Sequence, residues 1–393
     1  MSFQIKKKRI ALIWKVLIAC ALGGMSGGLL PVPVIRIFTT FNYIFSQYIG
    51  FMIPLIIVGL VTPAICRMGS NAGKMLLFTL VLAYLSSVAA GLFSYAVCDG
   101  FFPKLLGGIM AGAASAGTDT VTPFFTLDIP AIMSVTSALV LAFLVGTLLA
   151  STGKGHLINV AFDFEEIVAK AISKTLIPLL PLFIFGVFLK MAHTGDMVPV
   201  MKVFAKIIAV IFAMTVTWLI ALFGIAGLIS HRNPFKCLGK MFPAYLTALG
   251  TASSAATIPV TLQCARKCGI SEPVSNFSVP LCATIHMPGS LMEIASCAIA
   301  IMLLDGIPLS FGLMLQFIML LAITAVAAPG VPGGMMMASL GLLTSVLGFN
   351  EGNLSLMITL FVIIDSFGTA CNVVSDGAIA LIVEKFFPSR CGH

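Results

Sequence analysis

The sequence predicts an all-α integral membrane protein with about eight transmembrane helices and two re-entrant helical hairpins. Hydrophobic residues make up 59% of the 393 residues, charged residues only 9%, and the mean hydropathy is +1.12. Soluble domains are roughly half apolar and a quarter charged. The apolar residues also form continuous runs of about 20 residues or more, the length of a membrane-spanning helix. A transmembrane barrel would instead show short segments of alternating polarity.

Eight apolar runs account for the predicted spans. They cover approximately residues 10–31, 41–66, 75–97, 104–150, 168–190, 203–230, 273–304 and 353–383. The fourth run is long enough to break at least once. The first follows a basic start without a small-residue cleavage site, so we expect a retained helix rather than a signal peptide. An even number of spans places both termini on one side of the membrane.

Two further apolar stretches, 241–262 and 309–346, are interrupted where a spanning helix should be continuous. The first contains "GTASSAATIP" and the second contains "AVAAPGVPGG". Breaks of this kind free backbone groups that lipid cannot satisfy, so they are tolerated where they line protein or an aqueous cavity. Both stretches are therefore predicted to be re-entrant hairpins with their tips near the middle of the membrane.

The distribution of positive charge supports this topology. With the N-terminus in the cytoplasm, most basic residues fall on the cytoplasmic side, as the positive-inside rule requires. The basic residues left outside are Arg36, Lys104, Lys190, Lys202 and Lys206. The net charge of +8 thus reflects membrane topology, and no nucleic-acid partner is indicated. The two hairpins enter from opposite sides, which suggests an inverted repeat with a site at the midplane, the usual construction of a transporter.

The last apolar run carries a polar stripe. In "VIIDSFGTACNVVSDGAIALIV", Asp365, Gly368, Thr369, Asn372 and Asp376 are spaced i, i+3, i+4, i+7 and i+11, which places them on one helix face. A charged residue at this depth costs at least about 2.5 kcal/mol, and intramembrane carboxylates usually mark a functional site. No basic residue within this run could pair with the two carboxylates, so the stripe is predicted to be functional.

A second break lies in the run 273–304, at "TIHMPGS" (Thr284–Ser290). Proline and glycine together should unwind the helix here. Unwound carbonyl groups beside a carboxylate stripe would suit a hard monovalent cation, although a proline kink without ligands has the same sequence pattern. His286 and Glu293 form another ionisable pair in this run. His286 is either a neutral packed histidine or a proton-titrating group.

Three segments of the C-terminal half resemble the dicarboxylate/amino acid:cation symporters, the glutamate-transporter-like family. Ser253–Ser290 resembles the first hairpin and broken seventh helix of that family, Ala328–Gly334 the tip of its second hairpin, and Asp365–Asp376 its eighth helix. Weaker similarity runs through the early helices, as in "PLIIVGLVTPA". The resemblance implies an elevator-type transporter that forms homotrimers in the lipid of the cell membrane.

The resemblance also implies how the chain is divided. Residues 1–72 and 104–200 would mainly form the scaffold and trimerisation helices, and residues 73–103 and 201–390 mainly the transport domain. Within the transport domain we expect hairpin 1 at about 237–262, broken helix 7 at about 271–304, hairpin 2 at about 308–346 and helix 8 at about 352–387.

Roles of individual residues follow from the same resemblance. Asp365 matches the position that binds the substrate's ammonium group, which favours an amino acid over a simple dicarboxylate. The other positions that match substrate-binding residues are Ser253, Ser254, Ser290, Val331, Pro332, Gly333, Gly368, Thr369 and Asn372. One sodium (Na+) site is matched by Asp376 with the carbonyls of Cys282, His286 and Asn372, and a second by the carbonyls of Thr284, Ala325, Val326 and Ala328.

Two departures from the family pattern bear on substrate and ions. Gly368 replaces the arginine that pairs with the side chain of acidic substrates, and without it a buried acidic group would lack a partner. We therefore expect a neutral amino acid, with empty volume at Gly368 for a small side chain, as in serine, threonine or alanine, or for a bulkier apolar one. "HMPGS" replaces the usual "NMDGT", so His286 and Pro288 remove a third sodium site.

The sequence thus predicts sodium-coupled symport of a neutral amino acid. A proton-coupled amino acid or carboxylate symporter that uses His286 or Glu293 is the nearest alternative. A non-concentrative channel or sensor of the same fold is another. An enzyme is not expected, because the chain has neither a His-Glu zinc motif nor a nucleophile with a positioned base.

Overall fold

The computed structural model describes residues 15, 18–68, 74–113, 121–152, 155–195, 197–328 and 333–387. Every regular element within these ranges is helical, which agrees with the predicted all-α class. Residues 18–26 are helical and precede the helices numbered below.

The N-terminal half contains six numbered helices, with a short π-helical turn, Ile172–Leu176, between the fourth and the fifth. They are α1 (Val32–Met68), α2 (Lys74–Ala113), α3 (Val135–Thr152), α4 (Gly155–Ala171), α5 (Ile177–Thr194) and α6 (Met197–Ser230). The C-terminal half contains α7 (Pro234–Thr251), α8 (Ser254–Lys267), α9 (Glu272–Ile285), α10 (Pro288–Leu304), α11 (Phe311–Ala327), α12 (Gly334–Ser345) and α13 (Glu351–Phe386).

Five candidate spans in the described part of the chain are long and apolar enough to cross a membrane. They are Val32–Pro63, Lys74–Leu105, Phe204–Ser230, Glu272–Leu304 and Glu351–Phe386. A bent pair, Gly155–Leu176 with Pro178–Thr194, would be a sixth. The total of eight stays a prediction, since the start of the first predicted run lies outside the described residues. The fourth run does break, because residues 121–134 between α2 and α3 are irregular.

The first predicted hairpin consists of two helices, α7 and α8, that pack against each other. Its tip lies at Ala252, which has a left-handed backbone conformation with a φ of 39°. At the opposite end, Lys240 Nζ donates a hydrogen bond to the Lys267 carbonyl oxygen at 2.6 Å. The two helices are therefore antiparallel, and the chain turns inside the predicted "GTASSAATIP" segment.

The second predicted hairpin and the broken helix have similar breaks. α11 ends at Ala327 and α12 begins at Gly334, and these two helices also pack together. α9 ends at Ile285 and α10 begins at Pro288. Between them His286 has an extended backbone, with φ −115° and ψ 101°. The "TIHMPGS" segment thus interrupts the helix as the proline and glycine predicted.

The broken helix and the last helix lie at the centre of the fold. α13 packs against α6, α7, α8, α9 and α10, and α10 also packs against α2. In the span Glu272–Leu304, 89% of an apolar 18-residue segment is buried inside the protein, so this segment is largely shielded from lipid. On another side α1 packs against α3, α4 and α5. The assignment of these groups to scaffold and transport domains stays a prediction.

The turn that follows residues 18–26 packs on α5, and this contact gives a test of the fold. A Cβ atom on Gly27 would lie 2.7 Å from the backbone of Ala192, whereas a Cβ on Gly28 would meet nothing within 4 Å. Gly27→Ala should lower the unfolding temperature in detergent by several degrees, because overpacking costs about 1–3 kcal/mol. Gly28→Ala is the matched control and should leave it unchanged. Equal unfolding temperatures for the two variants would contradict this packing.

Candidate functional site

The polar stripe of α13 faces the break between α9 and α10 and the tip of the second hairpin. Three of its side chains make these contacts. Asp365 reaches Gly333 at the start of α12, Asn372 reaches the start of α10, and Asp376 reaches His286 in the break. Residues that are far apart in the sequence thus meet along one helix face.

Asn372 ties α13 to the start of α10. Its Oδ1 accepts hydrogen bonds from the backbone N–H of Gly289 at 2.7 Å and of Ser290 at 3.3 Å. Its Nδ2 donates to Ser290 Oγ at 2.9 Å. The first N–H groups of a helix have no partner within it, and Met287, which precedes α10, provides no side-chain cap. Asn372 therefore caps α10 from a neighbouring helix, and both atoms of its amide are engaged.

Asp365 links α13 to the tip of the second hairpin. Its Oδ2 accepts a hydrogen bond from the Gly333 N–H at 3.0 Å, and Thr369 Oγ1 donates to Oδ1 at 3.5 Å. Asp365 is half-buried, so its carboxylate borders accessible space. Val331 and Pro332 lie outside the described residues.

The tip of the first hairpin is formed by Ser253 and Ser254. Both residues are buried. Ser253 Oγ accepts a hydrogen bond from the Ala256 N–H at 3.3 Å and so caps α8, a position for which serine is a preferred residue. α8 packs against α13. These serines therefore build the tip of a hairpin that lies against the helix with the polar stripe.

His286 joins three helices through its imidazole ring. Its Nδ1 lies 2.9 Å from Asp376 Oδ1, and its Nε2 lies 3.0 Å from Ser86 Oγ on α2. All three side chains are buried. A neutral ring with its proton on Nδ1 satisfies both contacts, since it donates to the carboxylate and accepts from the hydroxyl. Ser86, in "LAYLSS", is a site residue that the sequence pattern alone did not single out.

The remaining predicted cation ligands lie near the ends of α9 and α11. Cys282 is buried, and its carbonyl oxygen accepts a hydrogen bond from the His286 N–H at 2.9 Å. Thr284 is exposed, Ala325 and Ala328 are buried, and Val326 is half-buried. In the described ranges no group of three or more His, Cys, Asp or Glu residues could hold a metal ion. A cation here would therefore depend on backbone carbonyls together with Asp376.

The predicted empty volume at Gly368 is filled. A Cβ atom added to Gly368 would overlap the carboxyl group of Glu293. α10 and α13 cross closely at this point, and a Cβ on Gly289 would lie only 2.8 Å from the Cβ of Cys371. The expectation of free space beside Gly368 is therefore wrong, because Glu293 from the neighbouring helix occupies it.

Glu293 is also the least satisfied polar side chain of the site. It is fully buried, and neither carboxyl oxygen has a hydrogen-bond partner in the described part of the chain. Buried polar groups in native proteins are nearly always hydrogen-bonded, and an exception calls for an explanation. The sequence identified Glu293 as ionisable but did not predict that it would face Gly368.

Comparison with known proteins supports a transporter. The serine/threonine transporter SstT of Acinetobacter baylyi is 26% identical over 397 residues, which cover 96% of this chain and 98% of that protein. An excitatory amino acid transporter of Caenorhabditis elegans is 30% identical over 260 residues, 65% of this chain and 51% of its own length. Human excitatory amino acid transporter 2 is 34% identical over 163 residues, 41% of this chain and 28% of its own. The chain thus matches about half or less of the length of these two excitatory transporters.

A family model describes nearly the whole chain. Residues 12–386 match the model of the sodium:dicarboxylate symporter family, and these residues include both hairpins, the broken helix and the polar stripe. Together with the apolar helices, this match makes the chain a multi-pass membrane protein. The protein therefore belongs to the sodium:dicarboxylate symporter family, a family of transporters.

Proposed function

We propose that this protein is a secondary transporter that carries a neutral amino acid together with sodium ions. Asp365 supports this proposal most directly. Its half-buried carboxylate lies against the tip of the second hairpin, 3.0 Å from the Gly333 N–H. A carboxylate at membrane depth attracts cationic groups, and the ammonium group of an amino acid is such a group. A relative that matches this chain over nearly its full length is named a serine/threonine transporter.

A neutral side chain fits the charges around the stripe. Gly368 brings no positive charge, and the group that faces it is the carboxyl of Glu293. Within the described length of α13 the basic residue is Lys385, in its last turn. An acidic side chain next to Glu293 would be buried without a counter-charge, which is strongly unfavourable. The site thus favours an amino acid whose side chain has no negative charge.

Sodium fits the buried carboxylate and the broken helix. Asp376 is almost completely buried, and the extended backbone at His286 lies beside it. Carboxylate and carbonyl oxygens are the ligands that hard cations prefer, and unwound transporter helices commonly supply them. In the family resemblance His286 and Pro288 replace the residues that build a third sodium site, which favours fewer coupled ions. Protons are the alternative coupling ion, with His286 or Glu293 as the carrier.

The remaining features of the proposal follow from the family resemblance. The transport part, including the hairpins and α13, would move relative to the scaffold by an elevator mechanism. The protein would assemble as a homotrimer in the cell membrane, with both termini in the cytoplasm. The group of helices packed around α1 and the group packed around α13 are consistent with such a division.

Sodium coupling can be tested with purified protein in proteoliposomes. Uptake of labelled serine, alanine and threonine is measured at one fixed pH with an inward gradient of sodium or of choline. We expect concentrative uptake only with sodium, because Asp376 and the adjacent carbonyls need a cation in the transported state. Undiminished uptake in choline, with dependence on a proton gradient, would favour the proton-coupled alternative. An amino acid leak without accumulation in either gradient would favour a channel.

The role of Asp365 is tested by Asp365→Asn, which keeps the side-chain volume and removes the charge. Amino acid binding should weaken by about 30-fold or more, because removing one partner of a buried charge pair costs about 2–5 kcal/mol. Binding is followed by ligand-induced thermal stabilisation, and gel filtration checks that the variant folds. Asp305→Asn, at the exposed end of α10, is the control and should bind as the original protein does. Unchanged affinity in Asp365→Asn would refute this assignment.

The contact between Glu293 and Gly368 determines whether an arginine introduced at position 368 could bind an acidic substrate. Gly368→Arg alone should not confer uptake of aspartate, because the new guanidinium would pair with Glu293. The double variant Gly368→Arg with Glu293→Gln should gain aspartate uptake, since the guanidinium is then available to the substrate carboxylate. Competition by aspartate against labelled serine measures the difference. Equal aspartate uptake by the single and the double variant would contradict the pairing.

A further inference from the structure

Glu293 lies beside the polar stripe of α13, and the proposed function gives its carboxyl group no role. It is fully buried on α10, and both of its carboxyl oxygens lack a hydrogen-bond partner among the described residues. Leaving a buried polar group without a hydrogen bond costs free energy whether the carboxyl is charged or neutral. A protein keeps such a group most readily where a ligand supplies the missing partner.

The position of Glu293 relative to Asp365 indicates which ligand group it would meet. Its carboxyl lies against Gly368, one helical turn after Asp365 on the same face of α13. Two acidic groups from different helices thus flank one location, and only Asp365 borders accessible space.

We infer that Glu293 determines specificity by accepting a hydrogen bond from the substrate's side chain, and that the substrate is an amino acid with a short, hydroxyl-bearing side chain. This inference rests on the proposed function, in which Asp365 binds the ammonium group of the same molecule. The α-carbon attached to that ammonium then projects its side chain along α13 toward Gly368 and Glu293. The missing side chain at Gly368 is what allows the carboxyl of Glu293 to take this position.

Other side chains satisfy Glu293 less well. An apolar side chain would leave both of its oxygens without a partner, and an acidic one would bury a further negative charge near Asp365. A cationic side chain would require the burial of a second full charge, which carries a large desolvation penalty. A hydroxyl donates one hydrogen bond at a lower desolvation cost. A long side chain is disfavoured because the volume beside Gly368 is already filled.

The experiment compares ligands that differ only by exchange of a hydroxyl for a methyl group. These pairs are serine with 2-aminobutyrate and threonine with valine. Each ligand competes with labelled serine for uptake into proteoliposomes that contain the unaltered protein, Glu293→Met or Glu293→Gln. In the unaltered protein we expect the hydroxyl member of each pair to be preferred by at least about fivefold, since leaving a buried acceptor without a hydrogen bond costs about 1–3 kcal/mol.

The variants separate a role in specificity from a role in folding. Glu293→Met should retain binding of 2-aminobutyrate and reduce the preference for serine to about twofold or less. Glu293→Gln should keep part of the preference, because its amide oxygen can still accept a hydrogen bond. Glu272→Gln is the control and should leave the ratio unchanged, because Glu272 is an exposed partner of Arg266. If Glu293→Met does not fold, Gly368→Ala serves in its place. Its added methyl group would displace the Glu293 carboxyl and should therefore lower the preference for serine.

Three results would overturn the inference. Equal uptake of serine and 2-aminobutyrate by the unaltered protein would overturn the inference but not the proposed amino acid transport. An unchanged ratio of serine to 2-aminobutyrate uptake in Glu293→Met would also overturn only the inference. If uptake by the unaltered protein depends on a proton gradient, and Glu293→Gln loses that dependence while it keeps the full serine preference, Glu293 is a proton carrier instead. A complete lack of amino acid uptake by the unaltered protein would instead count against the proposed function.

Discussion

Helices α10 and α13 cross so closely that their contact sets the positions of the polar side chains in the site. At Gly289 and Gly368 neither helix has a side chain in the way, and Asn372 bonds directly to the first N–H groups of α10. This cap stabilises a helix that begins inside the protein, where water could not satisfy those groups. Because the cap fixes the register of the two helices, it also sets Glu293 against Gly368.

The broken helix connects this crossing to the rest of the protein. Its extended residue, His286, directs its ring between Asp376 on α13 and Ser86 on α2. Further along, Ser296 of α10 and Ser94 of α2 lie 2.8 Å apart through their hydroxyl groups. These four contacting groups and Asp376 thus link three helices through buried hydrogen bonds. Asp365 and Gly333 are only half-buried, so the proposed substrate site lies at the edge of this network and the proposed cation site at Asp376 lies in its interior.

Much of the fold could be predicted from the sequence because membrane spans are encoded locally. Apolar runs, glycine and proline breaks and the spacing of the stripe on α13 each depend on residues near one another in the chain. The sequence therefore predicts the breaks at "TIHMPGS" and "GTASSAATIP" to within a few residues of where the helices end in the structure. The contacts between distant polar side chains are harder to predict. Ser86 and His286, for example, are 200 residues apart, and no local pattern relates them.

Residues that are close together in the chain are enough to predict the class of protein, the broken helices and the face of α13 that carries Asp365, Asn372 and Asp376. What those groups face depends on how the helices pack. Gly368 suggests empty space when it is considered alone, because a glycine has no side chain. The packing of α10 places the Glu293 carboxyl in that space. The distance between two helices, which depends on side chains from both, therefore decides the chemistry at this position.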